Sequence, residues 1–198
     1  AFYKLIKNPI SRIEVASAGG YLSYENIADK ATVAGVEVEI RKNLFVRPLS
    51  SAANGMNKLS FGLNGSYIYT NAKMPLATVT TGSQLEGAAP WIANFDLSHN
   101  FTKGTHSFIN TLVFNYVSDK IYTIGTQGYQ DIMEQGMMTL DFVSQAKLNK
   151  YVSLTLKARN LLNPSYKLSR KANESGEKVV LSDYKKGINI SLGVSCTF

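Results

Sequence analysis

Three features of the sequence predict an all-β fold of long antiparallel strands, each with one greasy and one wet side. Apolar and polar residues alternate with a period of two in segment after segment, the segments outrun ordinary globular strands, and long connections take turns with short ones. Successive strand side chains point to opposite faces, so this alternation sorts every segment into two surfaces. Eleven Tyr, nine Phe and fifteen Gly against five Pro suit strands and turns, and hardly any stretch carries a helical period.

Taken in order, the first segment, FYKLIKNPISRIEVAS, is apolar and β-branched, with Pro9 marking an edge, bend or bulge. The second puts Val36, Val38 and Ile40 against Glu37, Glu39 and Arg41. The third sets Leu59, Phe61, Leu63, Tyr67 and Tyr69 against Ser60, Gly62, Asn64 and Ser66. In the fourth, Trp91, Ala93, Phe95, Leu97 and Phe101 oppose Asn94, Asp96, Ser98 and Asn100, with His99 on the greasy side. The fifth aligns Phe108, Leu112, Phe114 and Tyr116, interrupted by Asn110. The sixth places Met138, Leu140, Phe142, Ala146 and Leu148 opposite Thr139, Asp141, Gln145 and Lys147. The seventh opposes Val152, Leu154, Leu156 and Ala158 to Ser153, Thr155, Lys157 and Arg159. The eighth is a clean ribbon from Ile188 to Phe198.

Strand length says which apolar phase the greasy side meets. Globular strands cluster near 5–6 residues, whereas a tilted strand crossing a bilayer needs roughly 9–11, and most of these segments reach that length. Aromatics lie near the segment ends, at Tyr67, Tyr69, Trp91, Phe101, Tyr116, Tyr122, Tyr151 and Phe198, as in the girdles of outer-membrane barrels. No uncharged apolar run approaches the roughly 18 residues of a spanning helix; a strand barrel needs none.

The connections give an independent reading. Short links such as TKG and NK alternate with NAKMPLATVTTGSQLEGAAP, YTIGTQGYQDIMEQG and NPSYKLSRKANESGEKVVLSD. Only FVRPLSSAANGMN, of intermediate length, breaks the rule. Long outer loops and short periplasmic turns alternate in this way in transmembrane barrels.

Several functions are disfavoured. The net charge of +7 comes from Lys and Arg scattered along the chain, many at expected turns (Lys42, Lys58, Lys103, Lys120, Lys150, Lys171), and not from the basic stripe of a nucleic-acid binder. No nucleic-acid partner is expected. Cys196 is the only cysteine, so no internal disulfide forms. His99 and His106, without a Cys or carboxylate cluster, make a poor metal site. Nothing resembles an activated nucleophile or a placed acid–base pair, so neither enzymatic activity nor a cofactor is expected. Glu37, Glu39, Asp96, Asp141, Lys157 and Arg159 read as a solvated or mutually paired polar wall, with the lining of a ligand path as the alternative.

Short motifs along the chain carry a resemblance: FYKLIKNPISRI, NIADKATVAGVEVEI with its G-x-E-x-E, QLEGAAPWIANFDLSHNF with G-x-x-P-x-x-x-N, LKARNLLNPSY, and ISLGVSCTF ending in Phe. In this order they resemble the C-terminal third of a TonB-dependent outer-membrane receptor of the Bacteroidetes type, with Cys196 where the family often carries Tyr. The resemblance implies a barrel of about twenty-two strands around an N-terminal plug bearing the energy-coupling box, importing siderophores, cobalamin, glycans or peptides. It also implies an outer-membrane location, partners in lipid, the rest of the receptor and the TonB system, and a terminal strand in which Phe198 is the barrel assembly signal.

Residues 1–198 then form a single barrel segment of about eight strands, without plug or coupling box, and unable to transport alone. Two other architectures stay open: a free-standing closed barrel of about eight strands, and a soluble β-sandwich or barrel acting as a binding module.

Overall fold

Asn8 and Pro9 cut the first expected segment in two. Asn8 takes a positive φ of 48°, and Pro9 has no N–H for a ladder. β1 (Phe2–Lys7) therefore stays in one sheet, while β2 (Ile10–Glu14) turns away to pair with β3 (Leu22–Asn26). The computed structural model describes residues 1–15, 21–49, 55–72, 84–126, 128–172 and 176–197. Phe198 lies outside the described residues, and no helix occurs within them.

The principal sheet joins β1, β4 (Lys30–Pro48), β5 (Met56–Ala72), β6 (Trp91–Lys103), β7 (His106–Val117), β10 (Met137–Lys147), β11 (Val152–Arg159) and β14 (Asn189–Cys196) in that spatial order. Every pairing is antiparallel. These are the eight expected strands as a simple meander. Their greasy residues share one face because the registers align them, as in Val36↔Tyr67↔Trp91 and Ile40↔Leu63↔Phe95↔Phe114.

Two details differ from the sequence reading. β4 and β5 run on to the pair Pro48↔Met56, so the intermediate link shrinks and short connections fall consistently at one end. A register shift between Asn43 and Phe45 leaves Leu44 as an extra residue, and the bulge resets the phase so that Phe45 meets Leu59. Lys42 and Lys58 accordingly lie inside strands and not at turns, with Lys42 opposite Phe61.

The long connections carry strands of their own. β8 (Lys120–Thr123), β9 (Ile132–Glu134), β12 (Ser165–Lys171) and β13 (Lys178–Lys185) make a four-stranded sheet ordered β13-β12-β9-β8. A parallel bridge between Ile13 and Ile124 docks the β2–β3 hairpin beside β8. The only buried apolar cluster sits at this outer end among the described residues: Ile13, Ile27, Ile121 and Ile124 with Ala28, Ala31 and Ala72. Burying each isoleucine is worth about 1.5–3 kcal/mol, which makes the outer cap a packed unit.

Apart from Ala31 and Ala72 at that outer end, the principal sheet has no such core among the described residues. Val38 is 56% exposed, Trp91 56% and Leu192 71%. No second layer covers this face among the described residues, so the soluble sandwich is not the architecture formed. The sheet is also open. β1 covers only Lys30–Gly35 of β4, and β14 pairs on one side alone, with β11. The closed barrel of eight strands is thereby corrected to a partial barrel: closure would need β1 against β14, and that pairing does not form.

Candidate solute-facing wall and outer pocket

The wet face of the principal sheet is organised in rows. Asn64, Asn94, Asn115 and Thr139 stand opposite one another on four successive strands. Asn94 donates from Nδ2 to Asn64 Oδ1 at 2.7 Å, and Asn115 donates from Nδ2 to Thr139 Oγ1 at 3.1 Å. Each primary amide has two donors and a two-lone-pair acceptor, so this row keeps unused hydrogen-bonding capacity toward whatever fills the space in front of it. Two rows nearer the short turns, Ser98 and Thr111 share a hydrogen bond at 3.2 Å.

Charges flank the amides. Arg41 Nε meets Glu39 Oε1 at 2.5 Å. Gly62, between Arg41 and Asp96 in register, is where the Asp96 carboxylate lies: a Cβ there would overlap Asp96 Oδ1. The expected polar wall is therefore present, and Glu39, Arg41 and Asp96 form a group on it. Glu37 faces Ser66, and Lys157 lies between Val143 and Ser191 in register; neither forms an ion pair among the described residues.

The greasy face carries its own markers. Tyr67 and Trp91 rings lie 4.5 Å apart at the outer end, Phe101 and Phe108 6.5 Å apart near the short turns. About ten residue steps separate Trp91 from Phe101; at about 3.3 Å each and about 40° of tilt this is about 25 Å, the height of an outer-membrane apolar band. The polar intrusions are satisfied within the sheet: His99 Nε2 lies 2.8 Å from Asn57 Oδ1, and Ser144 donates to Asn110 Oδ1 at 2.7 Å. Pairing hides these groups from lipid, where an unmade bond would cost several kcal/mol. His106 lies at the β6–β7 turn opposite Lys103.

The NLLN stretch after β11 is a knot joining four elements. Asn160 and Asn163 take positive φ of 59° and 44°, which Asn tolerates better than most residues. Asn160 donates its backbone N–H to Asp141 Oδ1 at 2.8 Å and its side-chain amide to the Gly187 carbonyl at 2.7 Å; the Gly187 N–H returns to Asn163 Oδ1 at 3.1 Å. β10, β11, β12 and β14 are thus held at one corner.

At the outer end, two arginines staple the cap. Arg12 pairs with Glu86 at 3.3 Å and stacks on Tyr122, and the Arg12 N–H donates to Glu86 Oε2. Arg170 pairs with Glu14 at 2.5 Å and faces Tyr129. Both pairs join segments remote in sequence, and no local pattern announces them. β8, β9, β12 and the start of β13, with Gln84, Asp119, Gln130, Asp131 and Gln135 beside them, surround a cavity of about 520 Å³. Ile121 and Met133 form an apolar part of its lining, and Gln84, Gln130, Gln135 and Ser169 supply amides and a hydroxyl.

A sheet with one lipid-compatible face, one hydrogen-bonding face and its long connections gathered at one end defines the wall of an outer-membrane β-barrel. The family described as "TonB dependent receptor-like, beta-barrel" matches residues 1–161, and the chain belongs to that family. β14, beyond the match, continues the same sheet. No curated protein and no solved structure matches the chain. Members of the family are outer-membrane transporters of bacteria and not enzymes.

Proposed function

We propose that residues 1–198 are one barrel segment in the wall of a plug-gated outer-membrane importer, taking up a solute of the siderophore, cobalamin, glycan or peptide class with energy from the TonB system. The exposed apolar face of the eight-stranded sheet carries this reading: contiguous exposed apolar patches of soluble monomers rarely exceed a few hundred Å², and lipid is the phase that covers this one. The amide rows on the opposite face supply a surface against which a plug from elsewhere in the receptor can seat and slide. The free edge of β4 from Val36 to Pro48 and that of β14 call for further strands of the same receptor, since an unpaired edge is not tolerated in hydrocarbon. The motif order supports a Bacteroidetes-type receptor, and Phe198 is the residue we assign to the assembly signal. Fractionation of cells expressing the whole receptor tests the reading. A heat-modifiable outer-membrane species retained with the detergent-insoluble envelope is expected; recovery in the soluble fraction overturns it.

A further inference from the structure

We infer that the outer cavity is the capture site for a hydroxyl-rich solute carrying an acidic group, bound with its anion at Lys171 and Lys178 and its hydroxyls at the amides and carboxylates that share the lining. This rests on the uptake reading and names the solute chemistry. Lys171 and Lys178 face each other directly across the β12–β13 hairpin and both line the cavity. Like charges placed opposite one another on a sheet repel, and neither lysine forms an ion pair among the described residues. The next cation, Arg170, is already neutralised by Glu14, so these two are the cations left to receive an anion.

The rest of the lining sorts by chemistry. Asp119 and Asp131 each accept a backbone N–H through Oδ1, from Gly136 at 2.6 Å and from Gly125 at 2.8 Å. Those bonds fix the carboxylates in place as acceptors. Gln84, Gln130 and Gln135 both donate and accept, as hydroxyl groups do. The cavity volume of about 520 Å³ lies in the range of small-ligand sites. With two lysines, three glutamine amides and two anchored carboxylates in one lining, an acidic saccharide matches it better than a neutral sugar or an aliphatic acid.

The test uses the whole receptor, purified in detergent, and three probes: trigalacturonate, neutral galactotriose, and triaspartate, which has the charge without hydroxyls. Calorimetry is expected to show trigalacturonate binding most tightly, weakening with salt. The double variant K171Q/K178Q weakens it about tenfold or more, the loss of charge-assisted hydrogen bonds. K103Q, at the short-turn end, leaves it unchanged. Equal binding of galactotriose or triaspartate, or an unaffected double variant, overturns the inference. If the receptor fractionates with the outer membrane and binds none of the three, the cavity assignment falls while the importer reading stands; recovery as a soluble protein removes the importer reading itself.

Discussion

Asp141 and Asn160 are joined by a backbone N–H donated to a carboxylate at 2.8 Å, a bond that couples the wet face of β10 to the turn leaving β11. Without it, the Asn160 N–H at a half-buried corner loses its partner. Asp141→Ala is expected to lower stability by about 1–3 kcal/mol, read from the urea midpoint of the refolded receptor. Asn160→Gly keeps the positive φ but removes the amide bond to the Gly187 carbonyl, costing about 1 kcal/mol. The two losses should not add, because both loosen one corner.

Gly62 and Asp96 form a second dependent pair. A methyl on Gly62 would overlap Asp96 Oδ1, so the carboxylate must leave its place. Because only the end of a side chain has to move, Gly62→Ala is expected to cost about 1 kcal/mol or less, whereas in an Asp96→Ala background it should be neutral or stabilise by about 0.4–1 kcal/mol. A double-mutant cycle on unfolding midpoints checks this. An equal penalty in both backgrounds would show that Asp96 is not what the methyl displaces.

The two faces of the sheet predict opposite tolerances at adjacent positions. Leu63 pairs with Ile40 and Phe95, near the middle of the aromatic-bounded band, and its neighbour Asn64 belongs to the amide row. Leu63→Arg is expected to cost about 2–4 kcal/mol in the folded receptor, while Asn64→Arg in the lumen costs little. Refolding titrations into lipid vesicles measure both. Equal costs would mean that the apolar face does not meet lipid.

How much of this was legible follows from the range of each interaction. The faces of β4 to β7 were readable because alternation is local: Val36, Val38 and Ile40 announce themselves in a single segment. The strand end at Pro48 was not, since the extra residue Leu44 reverses the phase and hides the continuation. The outer sheet escaped for a different reason. β9 is three residues long and β8 four, too short to show a period. The amide row is visible in its members but not in its contacts: alternation puts Asn64, Asn94 and Thr139 on the wet face, yet their hydrogen bonds depend on register across strands. Arg170 with Glu14, joined across most of the chain, leaves no sequence signal at all. The charged wall reads as solvated or mutually paired, and both occur: Arg41 pairs with Glu39, whereas Lys157 forms no ion pair among the described residues.

Tyr166, in the outer sheet, supplies a pH-dependent test. Its phenol is pushed from the usual 10.0 up to about 12, first by burial and then by Glu134, to whose Oε2 its hydroxyl donates at 3.3 Å. Between those values the unfolded chain has lost this proton and the folded chain still holds it. Stability from this group is therefore fully present below pH 10.0 and is lost as pH rises toward about 12. Phenolate absorbance should show a late step near 12 that is absent in Tyr166→Phe. Glu134→Gln should bring that step to lower pH without abolishing it, because burial, the larger cause, stays. A titration with no step near 12, or one that Tyr166→Phe leaves in place, would show that the phenol is not held between β9 and β12 as described.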